Sequence, residues 1–328
     1  MKTEIIIQHS ETKNGKPIAL NIAEVVQSIK VTTYLEIKPG KCELTLKPLD
    51  SLEWVANGAL LTVKVDDEKL FFGFVFSFEV DQDRSCTITA YDQIRYLQCK
   101  DTLVTKNATA SAIFKSICDG YGIKCKLVAN SPHVLAKRVN DNKTYADIIA
   151  YALDKTLIDT NLWYFIRDNW GTLEFLDLYE ERTNMVIGDK SGLSTFSYKT
   201  SIDDDVYNQV KLVKENSETK KREIYIQKDS TNIDRWGTLQ YYETVNDDLN
   251  DAQMKERAAT LLEYYNKPKR TLKLSKCIGD FRIKAGRSFV LLIEDLKTVV
   301  PYNQYVICSS CTHEITEGVH TMEMEVLV

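Results

Sequence analysis

A chain of 328 residues, 44% hydrophobic and 27% charged, has the length of roughly two to three domains and enough apolar residues for substantial cores. Its net charge of -5 argues against nucleic-acid binding driven by bulk charge, although not against a local basic strip. No apolar run approaches the roughly 20 residues of a membrane span, and the opening MKTEIIIQHSE does not read as a signal peptide. A protein made and folded in a cytoplasm is the expectation. The eight cysteines, at 42, 86, 99, 118, 125, 277, 308 and 311, then read as reduced core thiols.

The N-terminal part is strand-rich. Residues 3–8 form a short strand, with a turn at Lys13-Asn14-Gly15-Lys16, and 18–33 are mostly extended. Residues 41–47 alternate, with Cys42, Leu44 and Leu46 on one face. Asn57-Gly58 is a turn, 59–65 a strand, and Asp66-Asp67 a hairpin turn. It leads into 70–80, where every even position is apolar: Leu70, Phe72, Phe74, Phe76, Phe78 and Val80. Side chains alternate faces along a strand, so this even, aromatic face is expected to be buried. After a polar turn at 81–85 the chain returns through 86–91, and Asp92 caps a short helical turn carrying Ile94 and Leu97. Many short strands joined by turns favour a small antiparallel barrel or sandwich.

The character then changes. Ala110, Ile113, Phe114, Ile117 and Tyr121 recur at helical spacing, with Thr109 as N-cap and Gly120 or Gly122 at the end. A strand at 123–128 follows. A second helix opens at Thr144 with Asp147 as capping-box partner, its apolar face being Tyr145, Ile148, Ile149, Ala152 and Leu153. A hairpin of 162–166 and 173–176 turns at 168–171. Residues 179–206 read as a connection. A long hairpin, 207–214 with 222–228 and a tip at 215–221, precedes a helix at 251–265 with Met254, Ala258, Leu261, Leu262 and Tyr265 inward. Strands return at 270–275, 280–284, 287–293, 303–309 and 319–327.

Chemistry is sparse. There is no phosphate-binding glycine loop, no G-x-S-x-G and no H-E-x-x-H. The four histidines are His9, His133, His313 and His320. No catalytic residue and no cofactor is expected. The nearest approach to a metal site is Cys308-Ser-Ser-Cys311-Thr-His313, with His320 beyond it. Cysteines three apart on a strand point to opposite faces, so Cys308 and Cys311 reach one ion only through a turn. No metal is expected, and core cysteines are the plainer reading. Asp203-Asp204-Asp205 lacks the spacing of a calcium loop and reads as a solvated acidic run. Lys220-Lys221-Arg222 reads as a solvated tip. Trp163 reads as hairpin core; Trp170, at a turn, is a candidate contact surface for a sugar or base.

The order of these pieces resembles a known family. F-x-G-F-V at 71–75, T-I-T-A-Y-D at 87–92, Y-G-I at 121–123, the loop Asn142-Lys143-Thr144, G-x-L-x-F at 171–175, V-Y-N-Q-V at 206–210, Ala285-Gly286, and His313 with H-T-M-x-M at 320–324 are similar to the tail-hub proteins of contractile phage tails and phage-tail-like bacteriocins. The length is most similar to the XkdQ/YqbQ-like hubs of PBSX-type prophages, with late control protein D and VgrG N-terminal proteins as wider relatives. The resemblance implies a mainly β, α+β fold: two related small antiparallel β-barrels of the tube-protein kind, with an inserted α+β domain and a connecting helix. Expected boundaries are a first barrel over 1–97, the insertion over 98–180, a connection over 181–206, and a second barrel over 207–328 that includes the long hairpin and a helix at 250–266, with strand exchange between the barrels. The implied role is structural and non-enzymatic: a homotrimer forming a pseudo-six-fold ring that joins the six-fold tail tube to the three-fold central spike. Implied partners are the tail tube protein, the central spike protein, the tape-measure protein and baseplate wedge or LysM-type proteins, with no membrane, and with DNA at most passing through the channel. The implied place is the baseplate of a phage tail or bacteriocin particle assembled in the bacterial cytoplasm. The alternatives are a tail-tip cell-wall hydrolase or peptidase, which needs converging carboxylates or a Cys-His pair, and a carbohydrate-binding module built on the Trp170 hairpin.

Overall fold

The computed structural model describes the chain apart from residues 14–15, 49–54, 204, 216–221, 246–249 and 301. Part of the 13–16 turn, the middle of the 203–205 acidic run and the 216–221 tip with Lys220 and Lys221 therefore lie outside the described residues. The chain falls into two compact units. One is Met1–Leu157 with Leu162–Ser197 and Leu272–Val328; the other is Ile158–Asn161 with Tyr198–Thr271.

The first unit opens on seven strands, of which the fourth, fifth and seventh alternate buried and half-buried residues as their sequences dictate. The seven are β1 (Thr3–Lys13), β2 (Lys16–Asn21), β3 (Val26–Tyr34), β4 (Lys41–Leu46), β5 (Leu60–Val65), β6 (Glu68–Val80) and β7 (Cys86–Tyr91). Ile5 and Ile7, Ile29 and Val31, Cys42, Leu44 and Leu46, Leu61 and Val63, and Cys86, Ile88 and Ala90 share one core. The β5–β6 turn, Asp66-Asp67, has both residues at positive φ, 48° and 68°. That is the primed turn that matches strand twist. The strands expected to make two barrels are joined in one 13-stranded sheet. Its order runs Thr195–Ser201, Lys269–Ile278, Val319–Leu327, Gln304–Thr316, β3, β4, β7, β6, β5, β1, β2, with Ser288–Leu292 also on Gln304–Thr316 and Arg182–Gly188 on Ser288–Leu292. Among the described residues β2 stands at one end of this order.

The expectation for β6 is reversed. Its core face is the odd set: Phe71, Gly73 and Val75 are buried, together with Leu70 at the start. Phe72, Phe74 and Phe76 lie half-buried on the other face, and Phe78 and Val80 are exposed. Periodicity failed here because both faces carry apolar residues, and because register shifts sit between Val63 and Lys64 and between Val75 and Ser77. Gly73 is required where it stands, since a side-chain carbon there would come within 2.2 Å of the Tyr91 carbonyl oxygen. The outer aromatics are covered locally. Phe74 and Phe76 meet Tyr96 at 5.8 and 6.2 Å, Phe76 meets Tyr91 at 5.4 Å, and Phe72 meets Trp170 at 5.8 Å.

The central block forms as its caps predict. Helix α1 (Ala110–Tyr121) starts at Thr109, whose side chain accepts from the Ala112 N–H at 3.2 Å, and ends at Gly122 in the left-handed region. Helix α2 (Tyr145–Thr160) opens on reciprocal Thr144 and Asp147 bonds of 3.2 and 2.9 Å. The hairpin Tyr164–Asp168 with Leu173–Asp177 adds Cys125–Leu127 as a parallel third strand. Phe114, Ile149, Ile166 and Phe175 are among the residues of the core between them.

The long hairpin and the later helix, placed by sequence with the second barrel, lie in the other unit. Gln209–Glu215 pairs antiparallel with Arg222–Lys228 and parallel with Gln240–Val245. The helix Asp251–Tyr265, with an Asn250–Gln253 capping box, lays Met254, Ala258 and Leu261 on Val210, Leu212 and Val245. The expected strand at 280–284 is instead a pair of turns. Ile283 and Ala285 are buried within them, and Gly286 takes φ 82°.

The reversed face of β6 is testable. Val75→Asp places an unpaired carboxylate in the core and should cost ~4 kcal/mol or more, leaving no soluble folded protein. Phe76→Asp, on the half-open face, should lower stability by about 1 kcal/mol and still fold. Urea unfolding and soluble yield distinguish the two; an equal loss would contradict the assignment.

Candidate functional site

The cysteine–histidine region is the densest chemical cluster. The sequence places Cys308 and Cys311 on opposite strand faces, but the structure puts both on one. Cys308 opposes Val326 and Ser310 opposes Glu325, so Ser309 is an extra residue in a bulge. The alternation resets there, and Cys308, Cys311 and His313 all point into the core, at 0%, 0% and 1% exposure. The Cys311 sulfur lies 3.4 Å from His313 Nε2. That same nitrogen lies 2.8 Å from the Ile283 carbonyl oxygen, and His313 Nδ1 lies 2.9 Å from His320 Nε2.

This arrangement resembles a nucleophile with its base, yet its electrostatics oppose the role. A carbonyl only accepts, so His313 Nε2 carries a hydrogen and donates it to Ile283; it is not a base for the thiol. Hydrogen bonding with Cys308, and then burial, push the Cys311 thiol well above the ordinary range. A reactive cysteine needs the reverse, a stabilised and accessible thiolate. Both His313 nitrogens are committed, which leaves no lone pair for an ion while these bonds stand. Among the described residues, no group of three or more His, Cys, Asp or Glu is arranged to hold a metal.

Trp170 sits in a two-residue turn with Gly171, at φ 54° and 80°. Its ring is engaged within the unit, by Phe72 at 5.8 Å and by the Lys64 and Lys69 ammonium groups at 5.8 and 5.4 Å. A stacking platform needs an open ring face, and these three neighbours leave less of one than the sequence suggested. Trp163 packs beside Leu35, Phe165, Leu176 and Leu178, as hairpin core.

The sequence missed one pairing entirely. Asp92 caps its helical turn as expected, accepting from the Ile94 N–H at 3.0 Å. Asp168, 76 residues later, accepts from the Gly171 N–H at 2.7 Å and from the Gln93 N–H at 3.2 Å. The hairpin turn is thereby fastened to the exit of β7. Burial, and then Asp168, raise the Asp92 carboxyl well above its ordinary range; burial raises Asp168. No local pattern joins residues so far apart.

Other side chains offer surface rather than chemistry. β2 ends the described sheet order, with Ile18 and Leu20 exposed. In the second unit, Ile226 and Tyr242 both oppose Lys211. Lys211 alternates with the helix-covered Val210 and Leu212, so this row lies on the other sheet face, and Ile226 and Tyr242 are 54% and 53% exposed.

The fold is that of phage tail proteins. The 43 kDa tail protein of prophage MuSo2 from Shewanella oneidensis aligns over 99% of this chain and 98% of its own, with a TM-score of 0.69 at 14% identity. The Escherichia coli c3393 protein, a component of the type VI secretion system with structural similarity to the T4 tail proteins gp27 and gp5, aligns over 92% of this chain and 73% of its own, with a TM-score of 0.53 at 9% identity. Residues 29–327 match the YQBQ-like family, and the chain belongs to that family. It is 28% identical over 309 residues to the phage-like element PBSX protein XkdQ of Bacillus subtilis (strain 168), covering 92% of each. The family resemblance drawn from the order of motifs is thus borne out.

The buried carboxyls make a pH prediction. Both folded-state pKa values lie above the ordinary 3.8. Above that value the folded state therefore holds more protons than the unfolded chain, and stability falls as pH rises through the folded values. Urea unfolding of wild type and Asp168→Asn at pH 4 and pH 7 should show the balance shifting toward the variant at the higher pH, by about 1 kcal/mol. A difference independent of pH would count against a strained pair.

Proposed function

We propose that this protein is the structural hub of a contractile tail baseplate. Three copies form a pseudo-six-fold ring that joins the six-fold tail tube above to the three-fold central spike below. The observation that carries this reading is membership of the YQBQ-like family over residues 29–327, on a fold shared along nearly the whole chain with phage tail proteins. The role is non-enzymatic. It is exercised through surfaces toward the tube protein, the spike, the tape-measure protein and the wedge or LysM-type proteins, in a phage or R-type bacteriocin particle assembled in the bacterial cytoplasm. The barrel over 1–97, the insertion over 98–180 and the connection over 181–206 belong to the same reading. The second barrel is then drawn from the C-terminal strands. No catalytic, cofactor or metal site is part of this function, and the inert Cys311–His313 pair supports its exclusion.

Unpaired strand edges and open apolar rows are ready docking surfaces. Those of the long hairpin and of Gln240–Val245 are the surfaces assigned to contacts between copies. The test is native mass spectrometry and electron microscopy of the purified chain, alone and with its tube and spike proteins. A trimer is expected, seen as a three-fold ring at the tube end. Ile226→Asp should leave the monomer folded and weaken trimerisation roughly tenfold or more. A chain that stays monomeric even with both partners overturns the proposal.

A further inference from the structure

The two buried-to-half-buried histidines have a property that neither the tail role nor the thiol chemistry uses. His313 opposes Met322 and His320 opposes Ile315 across the terminal hairpin, so the two rings meet diagonally. Since His313 Nε2 donates to the Ile283 carbonyl, its Nδ1 faces His320 Nε2 across 2.9 Å with room for one hydrogen. With one hydrogen between them the pair is neutral or singly charged. With two, N–H faces N–H and the contact cannot persist.

The rings hold a specific segment. Gly279 donates to the His320 carbonyl at 3.0 Å. Its bare Cα lets the His320 ring approach, since a side-chain carbon there would fall 2.1 Å from that ring. Phe281 stacks on the same ring at 4.1 Å and 19°. Ile283 takes the His313 hydrogen bond. Residues 279–283, overlapping the strand expected at 280–284, are thus fixed by the two histidines.

The groups around the pair are few. Asp280 is bound by Arg282 through bonds of 2.6 to 3.2 Å. Asp66, which accepts from the Lys2 N–H, and Glu68 share the shallow groove beside His320 with Asp280 and Arg282. On the core side stand the protonated thiol of Cys311, with Cys308 and Cys277 near it, and Lys284, whose charge burial disfavours. From β3 the residue opposite His313 is the uncharged Val31.

We propose that His313 and His320 form a one-proton clamp, which holds residues 279–283 on the terminal hairpin while the rings share a single hydrogen and releases them when a second hydrogen enters the pair in mildly acidic solution. Burial pulls the His320 pKa below its ordinary 6.5, with Asp280 opposing. The sign follows: below about pH 6.5 the unfolded chain binds more protons than the folded one. The clamp's stability is present above that pH and is lost as pH falls through the folded value.

The test is hydrogen exchange of the Gly279 amide at pH 7.5 and pH 5.5, corrected for intrinsic rates. Wild type should lose protection roughly tenfold or more on acidification, while amides of β4 and β7 keep theirs. His320→Gln retains an amide N–H to donate but does not titrate, so its Gly279 protection should be equal at the two pH values. Protection in wild type that is insensitive to pH, or that falls equally in the variant, overturns the clamp. If the variant does not fold, nitrogen-15 spectra of the wild-type imidazoles decide. The expected result is an Nε2–H tautomer for His313 at pH 7.5 and no state that keeps the 279–283 contacts with a hydrogen on both facing nitrogens. Rings that each take up a proton while the 279–283 contacts persist refute it.

Discussion

Seven residue pairs hold the large sheet together, from Ser28 opposite Thr316 to Tyr34 opposite Ser310. They join β3 to the strand Gln304–Thr316, and with it the N-terminal strands to the C-terminal ones. Without this ladder each half would present a long unpaired edge, the feature natural sheets work to avoid. The join is reinforced from the side chains. Thr32 and Thr312 share a hydroxyl contact of 3.0 Å, and the Thr33 hydroxyl accepts from the Ala285 N–H at 3.2 Å. The paired strands lie nearly the whole chain apart in sequence, so much loop entropy is lost before the contact repays it. Folding of the first unit therefore depends on its two ends meeting.

Once that sheet exists, β6 does two jobs with its two faces. Phe71 and Val75 fill the sheet core, and each buried side chain contributes about 1.5–3 kcal/mol. Phe72, Phe74 and Phe76 are left outward, where Tyr96 and Trp170 cover them. The hairpin turn bearing Trp170 is seated closely, since a side chain on Gly171 would strike the Phe72 ring at 2.6 Å. Asp92 and Asp168 complete the attachment through backbone N–H groups. One buried and one half-buried acid at a single junction cost electrostatic energy, offset by the donors each receives. The aromatic stretch thus acts as the seat for the Trp170 hairpin as much as a wall of the core.

A bulge of one residue, Ser309, governs the chemistry of the C-terminal strand. It brings Cys308, Cys311 and His313 onto one buried face, and the same packing removes their reactivity. The hydrogen bond with Cys308, and then burial, keep the Cys311 thiol protonated, and the Ile283 carbonyl takes the imidazole hydrogen. The residues that most resembled a site in the sequence are structural. The surfaces able to meet other proteins, such as the Ile226–Lys211–Tyr242 row, carry no motif at all.

Local rules decided much of this protein. The caps at Asp92, Thr109 and Thr144, the turns at Asp66-Asp67 and 168–171, and the alternation in β4 and β7 each depend on residues within a few positions of one another. They were legible for that reason, as was the family, which rests on the order of short motifs. Tertiary structure alone decided which face of β6 is buried, because both faces are apolar and only the neighbours differ. It alone joined the N-terminal and C-terminal strands through β3 into one sheet, set the Ser309 bulge against its partner strand, and turned 280–284 from strand to loop. It also brought Asp168 to Asp92 and His320 to His313. Each of these outcomes turns on a contact between residues distant in the chain, and periodicity, which sees one segment at a time, carries no information about the segment that will lie across from it.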